Sequence, residues 1–425
     1  MRMVCKVLCI SVTNNAFFDE VAKFNAFGKT TIMEPFEWEV AGQKGMVMKA
    51  VNEYWTSGQR QANSLHEISY RACFKPQLPE FFINRLTKPG DGVYDPFMGR
   101  GTTPLQARLM NRRPMGNDIN PLSQVLLAPR LNPPTIKQIA ERLDSIDLSI
   151  TIEKYDDLLH FYHKDTLAEI IALKEYLLRK QENQTIDNVD AWIRMVAINR
   201  LTGHSSGFFS VYSLPPNQAV SVKRQKKINE KRNQIPKYRA IKPRILKKSK
   251  SLLKDWNRPE ISEATDVTFG ILSTADSRRV SDIPDDSASL VVTSPPFLDV
   301  VDYQGDNWLR CWFIGVESGN IKISQHRKIT EWEKSMTDVL CDLKRIVIPG
   351  GYIAFEVGEI KGGEILLEEN VLRCGVRAGL EPIIIMINQQ DFTKTANAWG
   401  VTNAKKGTNT HRIVLFRNGP SEILQ

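Results

Sequence analysis

Gly92-Val93-Tyr94-Asp95-Pro96-Phe97-Met98-Gly99-Arg100-Gly101-Thr102-Thr103 is the stretch that decides how this chain folds. Gly92 to Asp95 reads as a short strand leading into a glycine loop. Gly99 and Gly101 permit backbone conformations and close approaches that other residues forbid. Thr103 to Met110 reads as the following helix, with Leu105, Leu109 and Met110 on its apolar side. Pro114 to Ile119 reads as the next strand and carries Asp118 at its end. Strand, glycine turn, helix and acid-tipped strand make a right-handed βαβ unit in a parallel sheet. Such sheets bind ligands at the carboxyl ends of their strands. An acid in the place of Asp118 can accept hydrogen bonds from both hydroxyls of a ribose. The glycines are not followed by Gly-Lys-Ser/Thr, which argues against a nucleoside triphosphate loop.

A second motif, Thr293-Ser294-Pro295-Pro296-Phe297, follows the apolar run Ser289-Leu290-Val291-Val292. The run reads as a buried strand. Two prolines at its end stop the ladder and stiffen the exit. A small hydroxyl, rigid backbone carbonyls and an aromatic ring then share one sheet edge. That corner suits gripping a planar base by its exocyclic amine.

Asp95-Pro96-Phe97-x-Gly99-x-Gly101-Thr102-Thr103 together with Thr293-Ser294-Pro295-Pro296-Phe297 resembles the S-adenosylmethionine-dependent DNA amino-methyltransferases. The Ser-Pro-Pro-Phe form is the one associated with N4-cytosine members; N6-adenine members more often carry Asp-Pro-Pro-Tyr/Phe. The motifs cover roughly 66–120 and 266–417. The resemblance implies a Rossmann-like α/β methyltransferase fold with a mostly parallel twisted sheet. It implies S-adenosyl-L-methionine as cofactor, with Asp95, Phe97, Gly99 and Gly101 around its methionine part and Thr102 also among the cofactor-binding residues. Asp118 would hold the ribose and Asp276 would approach the adenine amine. The stretch His66 to Pro79 resembles the segment that closes the methionine pocket, with Phe74 as its contact.

The reaction this implies is direct attack by the amine of a flipped base. Ser294 and the Pro295 carbonyl would accept hydrogen bonds from the amine, Pro296 would stiffen the loop, and Phe297 would stack on the base. C5 methylation uses a cysteine nucleophile, which in its own family sits in a Pro-Cys pair that this chain lacks. Asp302 and Tyr303, just beyond the loop, are further candidates for the base pocket. Trp308, Leu309, Trp312 and Phe313 fit the apolar face of a helix.

The α/β rhythm breaks between about Leu122 and Asp266. Helices are predicted at Ile136–Leu148, Asp165–Arg179 and Val189–Leu201, then a Gly/Ser/Pro-rich stretch to Pro216. Such a length is an inserted domain rather than a connection. The division is therefore an N-terminal segment 1–60, a cofactor-binding catalytic domain formed by 61–121 and 266–425, and a largely helical insertion 122–265. The insertion follows the second strand, not the third as in the permutation class with this motif order. Strands are predicted again at 267–272, 289–293, 351–357, 381–388 and 411–417, with helices near 331–345 and 364–379. The start, Met1 to Ile10, reads as a strand, not a signal peptide.

The chain has 425 residues, 42% hydrophobic and 25% charged, as in soluble globular proteins. No apolar run is long enough to span a bilayer. Six scattered cysteines, with no Cys-x-x-Cys pair or His cluster, indicate neither a disulfide framework nor a metal site. A reducing cytoplasm is the simplest setting. The net charge is +9, and Lys223 to Lys254 holds fourteen Lys and Arg against the single acid Glu230. That segment carries the whole basic excess and attracts a polyanion by counterion release. Lys223, Arg224, Lys226, Lys227, Lys231 and Arg232 are the expected DNA contacts, with 391–410 a second candidate region. Double-stranded DNA is the expected partner, with a cognate restriction endonuclease where the enzyme belongs to a restriction-modification system. N6-adenine DNA methylation, RNA amino-methylation and a non-catalytic DNA-binding module are the alternative readings.

Overall fold

The computed structural model describes residues 16–56, 62–71, 73–150, 157–214, 219–256, 270–296, 302–323, 326, 328–360, 365–389 and 410–419. The proposed strand at Met1–Ile10, Phe297 and most of the 391–410 region lie outside the described residues.

The βαβ unit forms as the sequence predicts. Strand β3 is Gly92–Asp95, helix α3 is Thr102–Leu109 and strand β4 is Arg113–Asn117. Strands β5 (Ile271–Ser273), β6 (Ala288–Thr293) and β7 (Val347–Val357) follow after the helical region. Their order is β7-β6-β3-β4-β5, and all four ladders are parallel. The chain winds outward from β3 through β4 to β5, then returns to start β6 on the other side of β3. Loops leaving β3 and β6 therefore diverge, opening a crevice at their carboxyl ends.

Beyond β7 the sheet continues with β11 (Thr410–Arg417), antiparallel, and then β10 (Glu381–Gln389). A hairpin of β1 (Ile32–Val40) and β2 (Gln43–Asn52) completes nine strands among the described residues, with β2 parallel to β10. Its two-residue turn, Ala41-Gly42, has positive φ at both positions, the twist that matches flanking strands. This hairpin falls within the segment 1–60 that the sequence left unassigned. The short pair β8 (Glu359–Ile360) and β9 (Ile365–Leu366) stands apart from the main sheet.

Both faces of the sheet are covered. Val93, Leu290, Val292, Ile413 and Leu415 pack on one side with Phe81 and Phe82 of α2 (Gln77–Leu86) and Phe17 and Val21 of α1 (Ala16–Ala22). Tyr94, Val291, Val414 and Phe416 alternate to the other side, under α11 (Ile329–Ile346) and α12 (Leu367–Arg377). Period-two burial on both faces explains the apolar runs read as buried strands.

A separate helical core is built by α4 (Leu122–Leu131), α5 (Ile136–Ser145), α6 (Lys164–Glu182), α7 (Asn188–Ile198) and α9 (Ile241–Leu252). It also takes Leu65 and Ile68 from before the glycine loop. Leu309 and Phe313 of α10 (Tyr303–Phe313) join from after β6, both buried as expected for a core face. The helical layer thus shares its core with segments on both sides of 122–265. The basic segment is two ordered helices, α8 (Val222–Arg232) and α9. Ser221 caps α8 by accepting from the Arg224 amide at 3.3 Å.

Candidate active site

Two hydrogen bonds set the loop after β3. The Met98 amide donates to the Asn117 carbonyl at 2.9 Å, and the Gly101 amide to the Met98 carbonyl at 2.6 Å. Gly99 and Gly101 both have positive φ, as the glycine pattern requires. Their purposes differ. A Cβ on Gly101 would stand 2.7 Å from Leu127, so this glycine lets α4 pack against the loop. A Cβ on Gly99 would stand 3.5 Å from the Cys73 sulfur, on the side of an open cleft.

That cleft lies between the loops that leave β3, β4, β5 and β6. Its lining includes Phe97, Gly99, Asp118, Asp276, Ser294 and Pro296. Residues from both motifs, 195 positions apart in the case of Gly99 and Ser294, therefore meet in one space.

Asp118 lies just past the end of β4 and faces the cleft. Its Oδ2 accepts from the Gly99 amide and its Oδ1 from the Asn120 amide, each at 2.9 Å. A carboxylate offers about four acceptor positions, so these two bonds leave acceptor capacity for a ligand. Burial raises its pKa. Asp276 lines the cleft after β5, the strand next to β4, where Arg278 grips both its oxygens at 2.6–3.1 Å. Those hydrogen bonds hold its carboxyl below the ordinary range. Asn117 steadies the same edge by donating to the Pro96 and Ala275 carbonyls, and Ser277 donates to the Pro96 carbonyl at 2.7 Å.

Asp95, Gly101, Thr102, Phe74 and Pro295 are not part of the cleft lining. The Asp95 carboxylate is buried below it. Oδ1 accepts from the Phe97 amide at 3.0 Å and from the Thr293 hydroxyl at 2.6 Å. Burial pushes its pKa up to about 7. The Thr102 hydroxyl faces Arg100, and Phe74 packs against the core beside α2. Tyr70 and Cys73, from the same stretch as Phe74, line the cleft instead. Asp302 is exposed and caps α10, accepting from the Gly305 amide at 2.8 Å.

Arg100 explains why 66–74 lies over the loop. Its buried guanidinium donates to the carbonyls of His66, Ile68 and Phe74. Arg130 donates to the Leu65 and Arg100 carbonyls, and burial brings its pKa down to about 9. His66, buried between these cations, is held neutral well below its ordinary value, by burial first and then by both arginines.

The far wall of the cleft comes from α11 and the chain before it: Ile323, His326, Trp332, Ser335, Met336 and Val339. No motif marks these residues. Only the helical spacing of 332, 336 and 339 puts them on one face. The buried His326 Nε2 and Trp332 Nε1 have no hydrogen-bond partner. Orphaned polar atoms lining a cleft fit a site that a polar ligand completes. Among the described residues, no group of three or more His, Cys, Asp or Glu side chains could hold a metal ion, and no helix is long and apolar enough to cross a membrane.

Residues 30–126, from the first hairpin through β4 into α4, match the family model of the N6/N4 methyltransferases, described as DNA methylase. Over these residues the chain is similar to the DNA amino-methyltransferases. The Type II methyltransferase M.MjaII of Methanocaldococcus jannaschii is 34% identical over 88 residues, 20% of this chain and 17% of that one. The Type II methyltransferase M.MvaI of Kocuria varians is 27% identical over 170 residues, 35% of this chain and 37% of that one. The matched part thus spans well under half of either relative. Among solved structures, the rRNA methyltransferase aviRa of Streptomyces viridochromogenes is similar over 86% of this chain and 97% of its own. Its identity is 10% and its TM-score 0.33, a likeness that carries no functional weight.

Proposed function

We propose that this protein methylates the N4 amine of cytosine in duplex DNA with S-adenosyl-L-methionine. The observation that supports this reading is the single cleft lined by Gly99 and Asp118 on one side and Ser294 and Pro296 on the other. When bound, the cofactor supplies a methyl group activated by a sulfonium. Asp118 has acceptor positions left for ribose hydroxyls, and its bond to the Gly99 amide fixes their height over the loop. Asp276, aimed by Arg278, accepts from an adenine amine. Trp332, Met336 and Val339 give the cleft an apolar wall that excludes water.

A cytosine amine is a poor nucleophile because its lone pair is delocalised into the ring. Ser294, which lines the cleft, accepts an amine hydrogen and localises that lone pair; the Pro295 carbonyl, outside the lining, is the second acceptor this reading requires. The proton leaves to solvent after transfer, so no general base is needed. In-line placement of amine and methyl supplies much of the rate. Phe297, next in the sequence, is the residue this reading assigns to stacking on the base. The base reaches the cleft only after leaving the duplex. The helical region 122–265 serves as the DNA-recognition part, and the exposed face of α8 holds the phosphates.

The test is incubation with labelled S-adenosylmethionine and mixed-sequence duplex DNA, then nucleoside digestion and mass spectrometry. N4-methylcytosine is expected. N6-methyladenine would move the assignment to the other amine, and a folded protein that transfers no label to DNA would end it.

A further inference from the structure

The turn between α8 and α9 presents Ile235 with 82% of its surface exposed, the highest value among the large hydrophobic residues exposed on the described surface. Single exposed apolar residues are ordinary. Ile235 differs in how it is held and in what surrounds it. The turn is braced on its N-terminal side by Asn233 in the left-handed region and by Gln234, which donates to the Tyr212 carbonyl at 2.9 Å and to Asn229 at 2.8 Å. On its C-terminal side, the Arg239 amide donates to the Thr166 hydroxyl at 2.7 Å, and the Tyr238 hydroxyl donates to Glu169. Pro236 stiffens the tip itself. Ile235 is therefore held out into solvent by the fold. Exposed Lys231 and Arg232 precede it and exposed Lys237 follows it.

A rigid apolar tip among cations is a poor match for water or a protein surface. It matches duplex DNA, where the cations sit on phosphates and the tip enters a base step from the minor groove. We propose that Ile235, backed by Pro236, is a wedge that partly unstacks duplex DNA held along α8. This deepens the DNA-methyltransferase reading and rests on it. A step opened by the wedge lowers the cost of extruding a neighbouring base.

The full-length protein is tested with short duplexes carrying end-to-end fluorophores and an internal 2-aminopurine. Binding is measured by anisotropy across salt concentrations. The wild-type protein is expected to bend the duplex and raise 2-aminopurine emission. Ile235→Ala, on an exposed side chain, is expected to abolish both signals and weaken binding on the order of tenfold, with an unchanged salt slope. An Ile235→Ala protein that binds and bends DNA like wild type overturns the wedge and leaves the DNA reading intact. Wild-type protein that fails to bind duplex DNA even at low salt overturns the DNA reading itself, and the wedge with it.

Discussion

The Thr293 hydroxyl donates a 2.6 Å hydrogen bond to the Asp95 carboxylate, joining the ends of two neighbouring strands from which the glycine loop and the Ser-Pro-Pro loop depart. Both side chains are buried. The bond fixes how far apart the two loops begin, and so the width of the cleft between them. Thr293→Val keeps the shape and removes the donor. It is expected to lower stability by about 1–3 kcal/mol, because a buried carboxylate loses a partner. It is also expected to weaken binding of S-adenosylmethionine although Thr293 does not line the cleft. Urea unfolding and titration calorimetry measure the two effects; wild-type values in both would show that the bond does not set the cleft.

Asp95 makes stability depend on pH in an unusual direction for a carboxylate. Burial raises its pKa from 3.8 to about 7 in the folded protein. Between those values the folded state keeps a proton that the unfolded chain has lost. Stability from this group is complete below about pH 4 and is lost as pH rises to about 7, amounting to about 4 kcal/mol at most. Asp95→Asn does not titrate. The stability of wild type minus that of Asp95→Asn should therefore fall between about pH 4 and about pH 7. A difference that is flat or rising over that range contradicts the assignment.

The parts of this molecule that local chemistry dictates were legible in the sequence. Glycines at 99 and 101 and an acid at 118 require a particular loop, and the apolar runs require buried strands. What the sequence hid depends on long-range packing. Gly101 makes room for Leu127, a need set by α4 crossing the loop and invisible in the local sequence. Phe74 entered through the resemblance of its segment, and Arg100 holds the backbone there while Tyr70 and Cys73 line the cleft. Trp332 and Met336 carry no motif, and only the placement of α11 over the sheet brings them to the site. The hairpin at 32–52 was unreadable alone because its partner, β10, lies more than 300 residues away.

The two loop glycines should separate folding from binding. Gly101→Ala places a Cβ 2.7 Å from Leu127 at φ +79°. It is expected to destabilise by about 1–3 kcal/mol through overpacking, with left-handed backbone strain added. Gly99→Ala meets only ordinary contacts, the nearest at 3.5 Å, and carries the strain of φ +50° alone. It should fold nearly as well as wild type yet bind S-adenosylmethionine more weakly, since its Cβ enters the cleft. Thermal melts and calorimetry on both proteins decide this. A Gly99→Ala variant with unimpaired cofactor affinity would place the cofactor elsewhere.

The basic segment divides into two kinds of residue, and that division is testable. Lys223, Arg224, Lys226, Lys227, Lys231 and Arg232 are all exposed. Arg239, by contrast, donates to the carbonyls of Ser205, Phe208 and Ser210, and Arg244 to those of Ser206 and Ala240. These are backbone struts of the helical layer, although the sequence makes them look the same as the others. The N-terminal end of α8 is also tied toward the catalytic loop. The Ala219 amide donates to the Asp306 carbonyl, and Trp308 Nε1 to the Val220 carbonyl, both on the helix that follows that loop. Replacing Arg224, Lys227 and Lys231 with alanine should leave the melting temperature unchanged. It should reduce the salt slope of duplex binding by up to about 3, one phosphate for each cation removed. Arg239→Ala should do the opposite: it leaves buried carbonyls unpaired, lowers stability by about 1–3 kcal/mol and leaves the slope alone. A triple variant with an unchanged slope would mean that DNA does not run along α8, and the route from phosphates to cleft would have to be sought on another face.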